Sequence, residues 1–317
     1  MKLTEQLSTI FRQIESDKGT SVLSEMVLNG IVESFDAFEA NSVDDFYDQF
    51  RHLLLTFKTT KPRIGILIFH MCEIWEELQD KKKQIKTLDE LKEVLTKAVE
   101  SLMNDGRREK KSLINHGLEC IEDGDSILIH SHSGTVMQLM EDAHNAKKKL
   151  RVVLAEQEEE KTEDMIWFLQ TRRIPFIVVP EYMLSHVETE VNKVFLGAIT
   201  FNNQYTFITD AGTTSVVSEF HHAKVPIYMF LTEKKFSLWD ATKKHQTYKV
   251  TQKRTDFHPE KVVTYERIKF SHDRVPVDLV DFVVTENGIF SPEKIQKQFD
   301  EKYKCYANWR TKYFGER

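Results

Sequence analysis

The sequence has little of what marks specialised classes of protein. It contains three cysteines in 317 residues, and Cys72, Cys120 and Cys305 are widely spaced, which argues against a disulfide framework or a thiolate metal cluster. The longest apolar run, at 64–69, is far shorter than the roughly 20 residues that a membrane span needs. The charged N-terminus indicates an amphipathic helix and not a signal peptide. We therefore expect a cytoplasmic protein with no membrane contact.

The chain also lacks a strong excess of one charge. Its formal net charge is −6, and acidic and basic residues are mixed along most of its length. This argues against a nucleic-acid-binding surface that covers much of the protein. Binding of RNA by a local basic patch remains an alternative. The length of 317 residues exceeds the usual size of one compact domain, so two domains are expected.

Hydrophobic periodicity changes near residue 120. Up to about residue 118 apolar residues recur at spacings of three and four, which is typical of amphipathic helices. A turn signal at 123–125 is followed by short β-branched runs that alternate with helical stretches. The change predicts a helical N-terminal domain over 1–118 and an α/β domain over 119–317.

The second half predicts a Rossmann-like, doubly wound α/β domain. The predicted strands are apolar on both faces and are joined by helices. This pattern indicates a parallel sheet that is covered by helices on both sides, with right-handed crossovers. The predicted strands are 126–130, 150–154, 175–179, 193–198, 225–230 and 278–285. The predicted helices between them are 135–149, 162–172, 181–191 and 213–223.

Two segments do not fit this alternation. The polar stretch 240–261 is predicted to be a solvated loop, with a partner-binding patch as the alternative because of its basic residues. These are Lys243, Lys244, Lys249, Lys253 and Arg254. The C-terminal tail is aromatic and could be a helix docked on its own domain or part of a subunit interface. Its aromatic residues are Tyr303, Tyr306, Trp309, Tyr313 and Phe314.

Three turns rich in glycine and hydroxyl residues predict an anion site. They lie at 130–135, 197–200 and 209–214, where a strand gives way to a helix or turn. Ligands of open parallel sheets bind at the carboxyl ends of strands, where backbone N–H groups and helix dipoles favour anions. Ordinary N-capping by serine and threonine is the alternative. The candidate phosphate or sugar-phosphate ligands are His130, Ser133, Gly134, Thr135, Gly197, Asp210, Gly212, Thr213 and Thr214.

Other chemistry has no motif in this sequence. There is no GxGxxG and no GxxxxGK[ST], so nucleotide binding of those two types is not expected. The histidine pairs 130/132 and 221/222 have neither the HExxH spacing nor a nearby thiolate. No arrangement for nucleophilic catalysis can be recognised from spacing. We predict no catalytic residue, no metal and no cofactor.

The order of segments resembles one superfamily. Its members are the alpha, beta and delta subunits of translation initiation factor 2B, ribose-1,5-bisphosphate isomerase and methylthioribose-1-phosphate isomerase. The resemblance spans about residues 20–300 and is most specific at Thr285–Ile289, TENGI, which follows the family's closing strand. Pro62 in TKPRIG resembles a proline-containing turn that borders the isomerase pocket. The segment TEKKFSLW resembles the regulatory subunits, and the short N-terminal domain those of the alpha type.

Departures from the isomerases accompany this resemblance. Where isomerases carry a catalytic cysteine and a catalytic aspartate, this chain has Ala155 and Ile199, which cannot accept and return a proton. Thr209-Asp210 replaces the family's Asn-Lys, which places a carboxylate near the predicted phosphate site.

The resemblance therefore implies a non-catalytic regulatory subunit, or a relative of one, that acts on translation initiation through protein contacts. It implies initiation factor 2 and 2B subunits as partners and a homodimer or larger assembly through the sheet domain. Two alternatives stay open, namely an aldose-ketose isomerase of the ribose-1,5-bisphosphate type with a displaced catalytic set, and a sensor that binds sugar phosphate or nucleotide without turnover.

Overall fold

The N-terminal region is built from helices. The computed structural model describes residues 3–60, 64–238, 247–254, 263–270 and 272–314. Five α-helices precede the first strand in this part of the chain, as the periodicity predicts, and a 3₁₀ turn at Phe35–Phe38 joins the second to the third. The helices are α1 (Leu3–Lys18), α2 (Thr20–Glu33), α3 (Val43–Lys58), α4 (Gly65–Lys81) and α5 (Leu88–Glu119).

Local capping and aromatic packing fix these helices. At the start of α5 the Thr87 hydroxyl accepts a hydrogen bond from the Glu90 N–H, and the Glu90 carboxylate accepts one from the Thr87 N–H. This capping box gives a partner to two backbone N–H groups that have none within the helix. In the core between α3 and α4 the rings of Phe50 and Trp75 stack with centroids 6.1 Å apart. Tyr47, also in this core, donates a hydrogen bond to the Leu78 carbonyl.

A seven-stranded sheet follows, and the predicted doubly wound α/β fold is confirmed. Its order is β12-β11-β7-β4-β1-β2-β3, and all neighbours are parallel except β11 and β12. A three-stranded sheet and a hairpin accompany it. The strands are β1 (Asp125–His130), β2 (Leu150–Glu156), β3 (Phe176–Pro180), β4 (Lys193–Gly197), β5 (Thr200–Phe201), β6 (Thr206–Asp210), β7 (Ile227–Phe230), β8 (Thr247–Arg254), β9 (Val263–Phe270), β10 (His272–Pro276), β11 (Phe282–Thr285) and β12 (Gly288–Phe290).

Four helices accompany these strands. They are α6 (Gly134–Asn145), α7 (Glu159–Thr171), α8 (Thr213–His222) and α9 (Pro292–Phe314). The chain runs from β1 outward to β2 and β3, and then returns to place β4 on the other side of β1. The loops after β1 and β4 therefore lead away in opposite directions, which opens a crevice between them at the carboxyl edge of the sheet.

Two of the predicted connections are wrong. The expected helix over 181–191 is instead a pair of 3₁₀ turns, Glu181–His186 and Glu188–Glu190, because this short link has only Leu184 to bury in its turns. The stretch 240–261 is not wholly a loop, since β8 occupies Thr247–Arg254 and pairs with β9 in an antiparallel hairpin. Lys249, Lys253 and Arg254 belong to this strand, while Lys243 and Lys244 lie outside the described residues.

The C-terminal aromatic helix docks on its own chain. Phe299 of α9 is fully buried and stacks with Tyr303 at 5.8 Å between ring centroids. Tyr306 stacks on Phe69 of α4 at 6.0 Å. Tyr303 thus packs against the core of the sheet domain, as the first alternative predicts, whereas Tyr306 also contacts the helical core, so that α9 ties the helical region to the sheet. The side chains of Trp309, Tyr313 and Phe314 lie outside the described residues.

Helix α5 also joins the two regions. Near its end the Ser112 hydroxyl donates to the Glu286 carbonyl at 2.8 Å, and His116 Nδ1 donates to the Thr285 carbonyl at 3.0 Å. The helix ends at Glu119 and the first strand begins at Asp125. In the part of the chain that the structure describes, no helix is long and apolar enough to cross a membrane.

Gly117 allows α5 to lie directly on α6 and β7. A Cβ atom at this position would lie 2.8 Å from Leu139 Cδ2 and 3.0 Å from Phe230 Cε1, both in the core. We expect Gly117→Val to lower the free energy of unfolding by about 1–3 kcal/mol through overpacking. Gly106→Val is the matched control, because a Cβ atom at Gly106 of the same helix meets nothing within 4 Å. Urea unfolding of both variants measures the difference, and equal stabilities would contradict this packing.

Candidate functional site: a cationic cleft at the switch point of the sheet

The crevice between the loops after β1 and β4 is a polar cleft of about 100 Å³. It is lined by the loop 131–135 after β1, the loop 197–199 after β4 and Asp210 at the end of β6. The structure thus brings five of the predicted ligand residues together. They are Ser133, Gly134, Thr135, Gly197 and Asp210.

The other four predicted residues lie behind the cleft and do not line it. His130 is buried, and its Nδ1 lies 3.1 Å from Thr213 Oγ1, which itself donates to the Asp210 carbonyl at 2.8 Å. Since that hydroxyl proton is committed to Asp210, His130 Nδ1 is the donor to Thr213. Gly212 lies so close to Glu181 that a Cβ would approach the carboxylate to 2.6 Å. Thr214 is the fourth of these residues. For all four, ligand binding stays a prediction.

Two helix N-termini open onto the cleft. Ser133 is the N-cap of α6, and its hydroxyl accepts from the Val136 N–H at 3.4 Å. Gly19 is the N-cap of α2, has a φ of +81°, and supplies no side-chain cap. Thr20, the first residue of α2, lines the cleft with a buried hydroxyl that has no hydrogen-bond partner among the described residues. The dipoles of both helices, and the N–H groups of α2 that no side chain caps, favour a bound anion.

Lysines supply the positive charge of the cleft. Lys18 of α1, Lys110 of α5 and Lys235, five residues beyond β7, all line it. The Lys235 ammonium is partly buried and donates to the Ala198 carbonyl at 3.1 Å. Burial, and then the positive charge of Lys110, lower the pKa of Lys235 to about 8. A lysine with this pKa is still mainly protonated at pH 7 and can bind an anion.

The carboxylates of the cleft have partners of their own. Asp210 Oδ1 accepts from Lys161 Nζ at 3.0 Å. Glu15 Oε1 lies 3.2 Å from His272 Nε2. In the part of the chain that the structure describes, neither carboxylate forms an ion pair with Lys110 or Lys235. These two lysines therefore remain available to an anionic ligand.

The N-terminus of α8 is occupied within the protein. Asp273 of β10 accepts hydrogen bonds through Oδ2 from the Gly212 N–H at 3.0 Å and the Thr214 N–H at 2.9 Å. The third predicted anion turn therefore has an internal carboxylate where a phosphate would bind. The cap of α8 is thus an aspartate 61 positions from Gly212 and 59 from Thr214, and not a serine or threonine of the turn.

Loss of this cap has a predictable cost. We expect Asp273→Ala to reduce the free energy of unfolding by about 1–2 kcal/mol, as for other helix caps, because two N–H donors lose their acceptor. Asp273→Asn keeps an acceptor oxygen, so its loss should be smaller. Urea denaturation of the two variants measures the order, and an alanine variant as stable as the asparagine variant would contradict it.

Sequence reasoning missed the contribution of the helical region to this site. Lys235 follows the strand β7, so the rule that ligands bind at the carboxyl ends of strands could have found it. Lys18, Thr20 and Lys110 belong to helices whose sequence patterns indicate only amphipathic packing. No local signal in the sequence shows that these helices reach the sheet. Pro62, the predicted turn residue, lies outside the described residues.

A family comparison agrees with this architecture. The family model described as the initiation factor 2 subunit family matches residues 17–292. The chain belongs to the initiation factor 2 subunit family. Curated relatives include both translation factor subunits and isomerases. Membership in the family therefore does not decide between a regulatory and a catalytic role.

The relatives divide between translation factors and isomerases. The initiation factor 2B delta subunit of Dictyostelium discoideum is 23% identical over 64% of this chain and 35% of its own length. The delta subunit of Schizosaccharomyces pombe is 31% identical over 48% of the chain and 33% of its own length. This chain thus spans about a third of these two relatives. Ribose 1,5-bisphosphate isomerase of Thermococcus kodakarensis is 22% identical over 87% of the chain and 86% of the enzyme.

Solved structures of the family share the fold. A crystal structure of initiation factor 2B from Pyrococcus horikoshii superposes with a TM-score of 0.73 at 20% identity, covering 92% of this chain and 98% of the other. A chain of the tetrameric beta-delta complex of initiation factor 2B from C. thermophilum gives 0.68 at 16% identity, with coverages of 94% and 93%. At these identities the likeness concerns the fold alone.

The sequence resemblance predicts that Ala155 and Ile199 stand where the isomerases carry their catalytic pair. Ala155 is buried near the carboxyl end of β2, and Ile199 lines the cleft. Neither side chain can exchange a proton. No cysteine lines the cleft within the described residues, and burial raises the pKa of Cys120 to about 11. That thiol stays protonated at neutral pH.

Proposed function

We propose that this chain is a non-catalytic, regulatory-subunit type of initiation factor 2B protein that binds a phosphorylated small molecule in the cleft. It acts in the cytoplasm through contacts with initiation factor 2 and 2B subunits, as part of a homodimer or larger assembly. The main observation in support of phosphate binding is that Lys110, Lys235 and the N-termini of α2 and α6 meet at one cleft. Sugar phosphates and nucleotides both present the dianionic phosphate that such a cleft recognises.

The absence of turnover is part of the proposal. Interconversion of an aldose and a ketose phosphate moves a proton between adjacent carbons and needs a group that takes it up and returns it. The resemblance to the isomerases places Ala155 and Ile199 at the two positions of their catalytic pair. The remaining cations bind and orient a phosphate without changing it. We expect phosphorus NMR to show no conversion of ribose 1,5-bisphosphate by the pure protein.

A second experiment tests the protein contacts. The tagged protein is purified from its native cytoplasm at physiological salt, and the proteins that co-elute are identified by mass spectrometry. Recovery of initiation factor 2 or 2B subunits is the expected result. Recovery of the protein alone, together with phosphate binding in solution, would leave a ligand sensor and contradict the regulatory-subunit role.

An isomerase with a displaced catalytic set is the second candidate. Asp210 and Lys235 line the same cleft, and a carboxylate and an amine whose pKa is about 8 could serve as base and acid. Measurable aldose-to-ketose conversion that Asp210→Asn abolishes, in a variant with unchanged thermal unfolding, would favour this candidate. The ion pair between Asp210 and Lys161 argues against it, because the carboxylate already has a cationic partner within the protein.

A further inference from the structure

A second cavity adjoins the cationic cleft. It encloses about 50 Å³ between α2, α4 and α5 on one side and the segment after β7 on the other. It shares Ser21, Lys110, Thr135 and Lys235 with the cleft. A ligand whose phosphate lies in the cleft can therefore extend into this inner chamber. The residues that belong to the inner chamber and not to the cleft include Leu28, Ile66, His70, Leu102, Met103 and Gly106.

His70, which lines the inner chamber, has an unsatisfied polar atom. The residue is 6% exposed, and its Nδ1 lies 3.0 Å from Ser24 Oγ. Its Nε2 has no hydrogen-bond partner among the described residues. Buried polar groups are nearly always hydrogen-bonded, so this nitrogen calls for a partner that enters the chamber.

The chemistry of that partner follows from the charge state of His70. Burial, and then the positive charge of Lys234, lower the pKa of His70 to about 3, so its ring is neutral at pH 7. A neutral ring carries its proton on one nitrogen only. If Nδ1 accepts from the Ser24 hydroxyl, Nε2 is an N–H donor, and if Nδ1 donates to Ser24, Nε2 has a free lone pair. A hydroxyl group can accept from the first and donate to the second. It is therefore the group that fits His70 in both cases.

The rest of the inner chamber disfavours a second phosphate. Leu28, Ile66, Leu102 and Met103 make part of its wall apolar. The ammonium of Lys234 is paired with the Glu109 carboxylate at 3.0 Å. A dianion placed there would be desolvated without a free cation of the chamber's own to balance it. Short carbon groups meet the apolar wall without this penalty.

We propose that the inner chamber receives the carbon end of the ligand, a short hydroxyl-bearing group that hydrogen-bonds His70 Nε2 while the phosphate stays in the cleft. This inference rests on the proposed function and narrows its ligand class. It selects monophosphate esters with a small hydroxylated substituent over inorganic phosphate and over bisphosphates.

Calorimetry with three simple probes tests the inference. Inorganic phosphate reports the cleft alone, whereas ethyl phosphate and 2-hydroxyethyl phosphate differ by the one hydroxyl that would reach His70. We expect the hydroxylated ester to bind the unmodified protein about tenfold more tightly than ethyl phosphate, as for one buried hydrogen bond. The three probes are titrated at the same pH and ionic strength.

Two glycine variants locate the preference. A Cβ atom at Gly106 in α5 or at Gly30 in α2 meets nothing within 4 Å, but only Gly106 lines the inner chamber. We expect Gly106→Leu to fill the chamber, to abolish the preference for the hydroxylated ester and to leave the affinity for inorganic phosphate unchanged. Gly30→Leu is the matched control and should keep the preference.

The outcomes separate this inference from the proposed function. Equal affinities of the two esters for the unmodified protein, with inorganic phosphate bound, would overturn the inner-chamber proposal alone. A preference that survives in Gly106→Leu would also overturn it, because the hydroxyl would then bind elsewhere. If inorganic phosphate does not bind at all, the proposed function fails and this inference fails with it.

Discussion

Replacing Lys235 by methionine is expected to weaken phosphate binding by at least tenfold and to stabilise the ligand-free protein. The first effect follows because a hydrogen bond to a charged group contributes about 1.5–3 kcal/mol. The second follows because the folded protein holds this ammonium in a partly buried place beside Lys110, which disfavours its charged form. Methionine keeps the unbranched stem and removes the charge.

The pH dependence of the same variant gives an independent reading. The pKa of Lys235 is lowered from 10.5 to about 8 in the folded protein, so between these values the unfolded chain binds more protons. Stability from this group therefore rises with pH across that window, and below pH 8 its charge costs up to ~3 kcal/mol. The affinity for phosphate should fall as pH rises through about 8, when the ammonium is lost. Both dependences should disappear in Lys235→Met.

Calorimetric titration with inorganic phosphate and thermal unfolding between pH 6 and 10 measure these effects. Lys147→Met is the matched control, because Lys147 lines a basic depression near the amino ends of β1 and β2, at the opposite edge of the sheet. It should change neither phosphate affinity nor its pH dependence. If Lys235→Met binds inorganic phosphate as tightly as the unmodified protein does, Lys235 does not contribute to the phosphate site.

Gly197→Ala is expected to damage the cleft and the fold together. A Cβ atom at Gly197 would lie 2.1 Å from Ser133 Oγ and 2.5 Å from Ser133 Cβ, so the loop after β1 must move away from β4. Ser133 would then no longer cap α6. Overpacking and the lost cap together should lower the free energy of unfolding by about 2–4 kcal/mol. Phosphate affinity should fall below detection, because the N-terminus of α6 is displaced.

The neighbouring glycine supplies the comparison for stability. A Cβ atom at Gly134 meets nothing within 4 Å, so Gly134→Ala should unfold at nearly the urea concentration of the unmodified protein. Similar stability of the two alanine variants would show that the approach between Gly197 and Ser133 does not constrain the cleft.

Regular elements could be predicted from the sequence because their patterns are local. Periodicity identified the N-terminal helices, and apolar runs identified all the parallel strands of the main sheet. The antiparallel additions were missed. β6 pairs with β5 and with the distant β10, and β8 pairs with β9 across eight residues. Such pairings depend on tertiary contact and leave only a weak local signal. The division between domains at 118 and 119 stays a prediction.

The site was half predictable for the same reason. Ser133, Thr135 and Gly197 follow strands, so the carboxyl-edge rule located them. Asp273, the cap of α8, lies in β10, which is distant in sequence from the turn before α8 and reaches it only through its pairing with β6. Lys110 lies 87 positions before Gly197 in the sequence, and the two residues line one cleft because α5 packs against α6 and β11.

The location of a bound phosphate analogue tests the central claim most directly. Crystals grown with tungstate should show an anomalous peak in the cleft, within hydrogen-bond distance of Lys110 or Lys235 and facing the N-termini of α2 and α6. That result would establish the cleft as the phosphate site of this chain. A peak at the basic depression around Lys147 and Lys149, with none in the cleft at concentrations that saturate binding in solution, would contradict the account.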